Sequence, residues 1–290
     1  MAVPYRFAIC NELFQKFPFR EACKQARAIG YQGLEIAPFT LAEDPGSLTF
    51  EQRTEIRRSM EDEGLRFVGL HWLLVSPAGL HVSTRDEAVR RRTWDHVHRL
   101  IDLCTDLAGC QSESNGVLVF GSPKQRSTTD GMSVREATDV FTHELAHAAP
   151  HAESCGVKIL VEALPADQSD VVNSLAEAVC IVKQIGSPAI QTMFDTHNAV
   201  DEKDTHASLV RRYFPYIRHV HVNEMDGREP GMGDYDFAAL LRTLAELDYS
   251  GWVSLEAFDF SRDAHQIAQR ALEYLRNAAR ASVLTRTATA

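Results

Sequence analysis

The 290-residue chain contains no apolar run of 18 residues, so no stretch of it reads as a membrane-spanning helix. Its opening, MAVPYRFAICNELF, lacks a basic segment followed by an apolar one, which argues against a signal peptide. The six cysteines (Cys10, Cys23, Cys104, Cys110, Cys155, Cys180) are scattered and form no CxxC pair. They read as reduced thiols of a cytoplasmic protein, mostly small buried hydrophobes. Positive charge is also short: 30 Lys and Arg stand against 40 Asp and Glu, a net charge of −10. Nucleic acid is therefore not an expected partner, because phosphate binding needs a positive face. No linker or low-complexity segment divides the chain. With 44% hydrophobic residues it can bury one large core. A single domain is expected over residues 1–281, with SVLTRTATA (282–290) as a flexible tail.

What is present is alternation. Eight β-rich runs occur: RFAIC (6–10), GLEIA (33–37), RFVGLH (66–71), GVLVFG (116–121), VKILVE (157–162), IQTMFD (190–195), IRHVHV (217–222) and WVSLE (252–256). Amphipathic helical patterns separate them, several ending in glycine. Strand–helix alternation implies parallel βαβ units, and eight of them close into a (β/α)₈ barrel. A doubly wound open sheet is the alternative, weakened by the lack of GxGxxG after the first run. Residues 72–85, 121–133, 163–173 and 223–235 form long loops after strands. In a barrel they share the rim where active sites sit.

The strand ends carry the chemistry. Glu162, Asp195, His221 and Glu256 end four consecutive runs and converge on that rim. Any one of these acids has an ordinary explanation as a helix cap or ion-pair partner. Three carboxylates together repel unless a cation compensates. A set of mostly hard oxygen donors with one nitrogen suits Mn²⁺ ahead of Mg²⁺, Co²⁺ or Zn²⁺. No organic cofactor is expected. In HVHVNEMDGREPGMG (219–233), period two places His219 and His221 on one face and the valines on the other. His219 either supports the metal shell or fills the barrel. The histidines of the helical segments (His96, His98, His143, His147, His151) lack the HExxH order and read as surface residues.

These motifs resemble the xylose isomerase-like TIM barrels, in particular the branch of ketose 3-epimerases, hydroxypyruvate isomerase and inosose dehydratase. The resemblance is carried by GYQGLEI, ILVEALP, MFDTHN, HVHVNEMDGREPGMGDYDF and WVSLEAF, in order along nearly the whole chain. It implies a metal held by Glu162, Asp195, His221 and Glu256. It also implies that Glu162 and Glu256 flank the substrate as a proton-transfer pair. The expected activity is a metal-dependent isomerisation or epimerisation of a keto-sugar or related polyol through an enediolate. A lyase or dehydratase acting on a keto-polyol or keto-glycoside is the alternative, and an endonuclease IV-like nuclease a remote one. Epimerases of this branch carry a histidine where this chain has Asn198, and an acid in the loop that here reads ALPADQSD.

Further substrate contacts are expected from Glu35 and His71, at the ends of strands 2 and 3, and from His197, which otherwise is structural. Arg228 either reaches a substrate oxygen or is a solvated surface residue. Lys124 and Arg126 point to an anionic group on the substrate, or belong to an ordinary charged loop. Trp72 is expected as an apolar wall. Gly231 and Gly233 are expected to let their loop turn close to the ligand. A small carbohydrate is the expected partner, with further copies of the chain as a homodimer or homotetramer.

Overall fold

The computed structural model describes residues 4–109 and 115–288; Cys110 lies outside them. Eight parallel strands close into a barrel in sequence order. They are β1 (Arg6–Cys10), β2 (Gly33–Ile36), β3 (Arg66–Leu70), β4 (Val117–Phe120), β5 (Lys158–Val161), β6 (Ile190–Asp195), β7 (Ile217–Val222) and β8 (Trp252–Leu255). The last closes on the first through pairs such as Phe7 with Val253. Every run read from the sequence is a strand, shortened by at most a residue at either end, and the open-sheet alternative is excluded.

Around the barrel lie α1 (Phe19–Ile29), α2 (Phe50–Asp62), α3 (Glu87–Ala108), the one-turn α4 (Pro123–Arg126), α5 (Val134–Ser154), α6 (Leu175–Ile185), α7 (His206–Tyr213), α8 (Phe237–Glu246) and α9 (Ala264–Ala288). Their ends are written locally. Thr49 with Gln52 and Ser133 with Glu136 form capping boxes that start α2 and α5, each cap worth about 1 kcal/mol. Gly30, at φ +110°, closes α1 in a conformation that side chains rarely adopt. The segment set apart as a tail, 282–290, continues α9 as far as Ala288; residues 289 and 290 lie outside the described residues. No helix among the described residues is long and apolar enough to cross a membrane.

The barrel's two faces divide the labour. Outward residues such as Phe7, Ile9, Leu34, Ile36, Val220 and Val222 join the core under the helices, each fully buried aliphatic side chain contributing about 1.5–3 kcal/mol. Inside, Val117, Val119, Leu160 and Met193 form a separate apolar cluster on the β4–β6 side. The opposite side of the interior holds Glu35, His71, His219 and His221, all buried. Gly69 stands at the seam, where a Cβ would lie 2.3 Å from the Val117 carbonyl oxygen. The polar half-interior leads directly to the rim at the strands' C-terminal ends.

Candidate metal centre and active site

Parallel strands in register deliver Glu162, Asp195, His221 and Glu256 to one spot. Asp195 pairs with His221 across β6 and β7, and Glu162 and Glu256 follow directly on β5 and β8. Each offers one ligand atom, and these atoms all lie within 4.8 Å of one another. His221 Nδ1 is 3.1 Å from Glu256 Oε2 and 3.5 Å from Asp195 Oδ2. All four residues are buried.

The electrostatics are those of a site short of positive charge. Burial, followed by the charges of Asp195 and Glu256, pushes the Glu162 carboxyl up to about 8. Burial also opposes the charge on Asp195, but the hydrogen bond and charge of His221 outweigh it and hold that carboxyl below its ordinary value. His221 is disfavoured as a cation by burial, yet Glu35 and Glu256 push it well above the usual imidazole range. A divalent cation would remove this conflict. Three carboxylates and one imidazole form a fitting donor set for a hard or borderline ion.

Neighbours orient each ligand. Asn198 donates its side-chain amide to Glu162 Oε1 at 2.9 Å and its backbone N–H to Asp195 Oδ1 at 2.8 Å. Trp72 donates its indole N–H to Glu256 Oε1 at 2.7 Å. Gly121 clears the way for Glu162, since a Cβ there would sit 2.2 Å from Glu162 Oε2. Trp72 and Ser122 turn out of strands 3 and 4 at φ +52° and +50°. Such left-handed non-glycine residues cost energy and cluster at functional sites.

A cavity of about 610 Å³ opens above the carboxylates, walled in part by Trp72, Lys124, Leu164, Gln168, Phe258 and Phe260. Glu162, Glu256, His71 and His197 also reach it. His197 is steered by the Met225 carbonyl at 2.8 Å and by Gln168 at 3.3 Å. His71 bonds Glu12 Oε2 at 2.9 Å, a buried acid just past β1 that sequence reading passed over. The rule applied to the other strands, an acid at a strand's C-terminal end, would have found it.

The structure places several of the expected residues away from the cavity. Glu35 does not line the cavity. It lies beneath His221, with Oε1 2.9 Å from His221 Nε2 and Oε2 2.8 Å from His219 Nε2. A larger cavity of about 720 Å³ contains Arg228 and none of the four donors; Arg228 pairs with Asp226 at 2.7 Å, as the surface alternative expected for it. Its loop folds around its own buried acid, Glu224, which accepts the Gly231 backbone N–H at 2.8 Å, so the two glycines turn about Glu224 rather than about a ligand. Arg126 is fully buried. It donates to the carbonyl oxygens of Glu162 at 2.7 Å and Phe120 at 3.0 Å, bracing the Glu162 backbone from behind instead of meeting an anion. Among the surface histidines expected on the helices, His96 is instead buried against the Leu73 carbonyl.

The family model for xylose isomerase-like TIM barrels matches residues 23–278. The chain belongs to that family. Among its relatives, a D-psicose 3-epimerase of Agrobacterium fabrum is 30% identical over 110 residues, 38% of either chain, so that match spans well under half of the relative's length. A protein of Synechocystis sp. named a probable ketose 3-epimerase is 24% identical over 82% of this chain and 77% of its own. In fold, the chain superposes on an L-ribulose 3-epimerase structure with a TM-score of 0.84, covering 99% of this chain and 98% of the other at 19% identity.

Proposed function

We propose that the protein is a divalent-metal-dependent epimerase or isomerase of a small keto-sugar, working through an enediolate. The observation that carries this reading is that Glu162 and Glu256 belong both to the four-donor cluster and to the wall of the cavity above it. Glu162, Asp195, His221 and Glu256 would hold the ion. Bound there, it would supply an electrophile for neighbouring carbonyl and hydroxyl oxygens of the sugar.

The chain's own groups account for the proton. Abstraction next to a carbonyl needs one group to take the proton and another to return it. Glu162 reaches the cavity from the end of β5. Glu256 comes from β8, three strands further round the barrel, and is fixed by the Trp72 indole. Two carboxyl groups from different sides of the rim allow removal on one face of the sugar and return on the other. Asn198 keeps Glu162 aimed. Trp72, Phe258 and Phe260 keep water from the sugar's apolar faces. The relatives named as ketose 3-epimerases support an epimerase ahead of other outcomes of the same enediolate.

The test is a ketose panel with Mn²⁺ in D₂O, followed by NMR. The expected product carries solvent deuterium at the carbon beside the carbonyl, and a chelator abolishes its formation. Product that keeps the substrate hydrogen there refutes the carboxyl-mediated route. Loss of water from the product assigns the chain to the dehydratases instead.

A further inference from the structure

We propose a second metal site, for zinc, on the outer helix ring, built from Asp102 of α3 and from His151 and Cys155 at the end of α5, with His98 of α3 beside them. The two pairs have the same spacing. His98 and Asp102 are four residues apart on one helix; His151 lies in α5 and Cys155 caps it, also four residues on. Residues so spaced share a helix face, and α3 and α5 pack side by side.

The distances suit a tetrahedral ion. Asp102, His151 and Cys155 each present a donor atom within 4.8 Å of the others. Cys155 Sγ is 3.9 Å from His151 Nε2, and His151 Nε2 is 2.8 Å from Asp102 Oδ1. Zinc bonds of about 2.0–2.3 Å place tetrahedral donors roughly 3.5 Å apart, a value that falls between these two distances. The ion would replace the His151–Asp102 hydrogen bond, with the carboxylate moving back by about half an ångström. The His98 ring lies beside the cluster, its centroid 5.2 Å from that of His151, and water would complete the tetrahedron. The backbone at Cys155 is held on both sides. Its N–H reaches the His151 carbonyl at 3.0 Å, and its carbonyl accepts the Asn115 amide at 2.6 Å.

Donor chemistry separates this site from the rim. An imidazole, a thiolate and a carboxylate select zinc, or cobalt in its place, over manganese and magnesium. The rim cluster contains no sulfur. Zinc here would brace α3 against α5, the helices on either side of β4 in the chain, and would leave the rim to the hard cation.

The experiment uses the full chain, stripped of metal and titrated with Co²⁺ and then Zn²⁺. A thiolate-to-cobalt charge-transfer band and the strong visible bands of tetrahedral cobalt are expected, both bleached by zinc. The thiolate is both the nucleophile and the ligand, so zinc should slow alkylation of Cys155 about tenfold or more. Cys180, exposed, serves as the internal control and should react at an unchanged rate. Cys155→Ser should abolish the band, and Asp195→Asn should keep it, which separates the two sites. The proposal is overturned if the band is absent, if it survives in Cys155→Ser, or if Cys155 reacts equally fast with and without zinc. Each of these results would leave His151 and Asp102 as an ordinary surface ion pair.

Discussion

Replacing Glu35 by glutamine is expected to weaken divalent-metal binding at the rim by about 10- to 100-fold while leaving the barrel folded. The carboxylate is wholly buried and accepts from two imidazoles, His221 at 2.9 Å and His219 at 2.8 Å. With one proton of His221 held on Nε2 by Glu35, the Nδ1 proton is the one that leaves when metal binds, freeing that lone pair beside Asp195 and Glu256. A glutamine has one carbonyl oxygen and one amide NH₂. It can accept from one histidine only, and its NH₂ demands a lone pair from the other. If His221 supplies that lone pair from Nε2, its proton moves to Nδ1 and blocks the metal. If it does not, one hydrogen bond to a charged group is lost, at about 1.5–3 kcal/mol. Either way the loss corresponds to roughly one to two powers of ten in affinity. The assay is a Mn²⁺ titration followed by the electron paramagnetic resonance of the free ion, with circular dichroism to confirm the fold. At saturating Mn²⁺ the KM for substrate should be unchanged, because Glu35 does not reach the cavity. Unaltered manganese affinity would refute the positioning role. A raised KM at saturating metal would return Glu35 to the substrate contacts expected from its place at a strand end.

Three other outcomes follow from the same geometry. Lys124→Ala should raise KM about tenfold for a substrate carrying phosphate or carboxylate, with a smaller change in kcat; the kinetics of a neutral ketose should not move. Gly121→Ala places a methyl group against Glu162 Oε2, 2.2 Å from the Cβ position, so steady-state assays should find turnover lost in a protein whose circular dichroism is native. The metal-free Glu162 carboxyl, raised from the ordinary 4.5 to about 8, binds a proton in the folded state that the unfolded chain releases. Its contribution to the stability of the metal-free protein therefore falls as pH rises between those values. Metal must displace that proton and the one on His221 Nδ1, so affinity should climb with pH through about 8. Melting curves across this range should show the gap between metal-loaded and metal-free protein widening; a gap that narrows contradicts the assignment.

The fold was legible because its signal is repeated. Each strand is a short apolar run with a helix stop before it and a polar loop after it, and the same pattern recurs eight times. A parallel strand surrounded by helices has few other ways to satisfy its backbone, so the period and the count together leave a barrel. The rim cluster was legible for the same reason. A side chain at the C-terminal end of a parallel strand is carried to the rim whatever the loops do, and Glu162, Asp195, His221 and Glu256 arrive there.

What could not be read was depth, and depth decides role. Glu35 and His71 both stand at strand ends, but β2 pairs with β3 through a register shift between Leu34 and Glu35, and no sequence pattern announces it. Glu35 sits beneath the rim, facing the histidines, while His71 rises to the cavity. Arg126 and Lys124 are two residues apart on one short turn, so they point different ways: Lys124 faces the cavity and Arg126 enters the core behind Glu162. A buried guanidinium is costly, and nothing in FGSPKQRS hints that the carbonyls of Phe120 and Glu162 would take up one of its nitrogens. Residues that touch the substrate are placed by the strands. Residues that hold those residues still are placed by register, bulges and one-turn helices, and there a shift of a single position exchanges one role for the other.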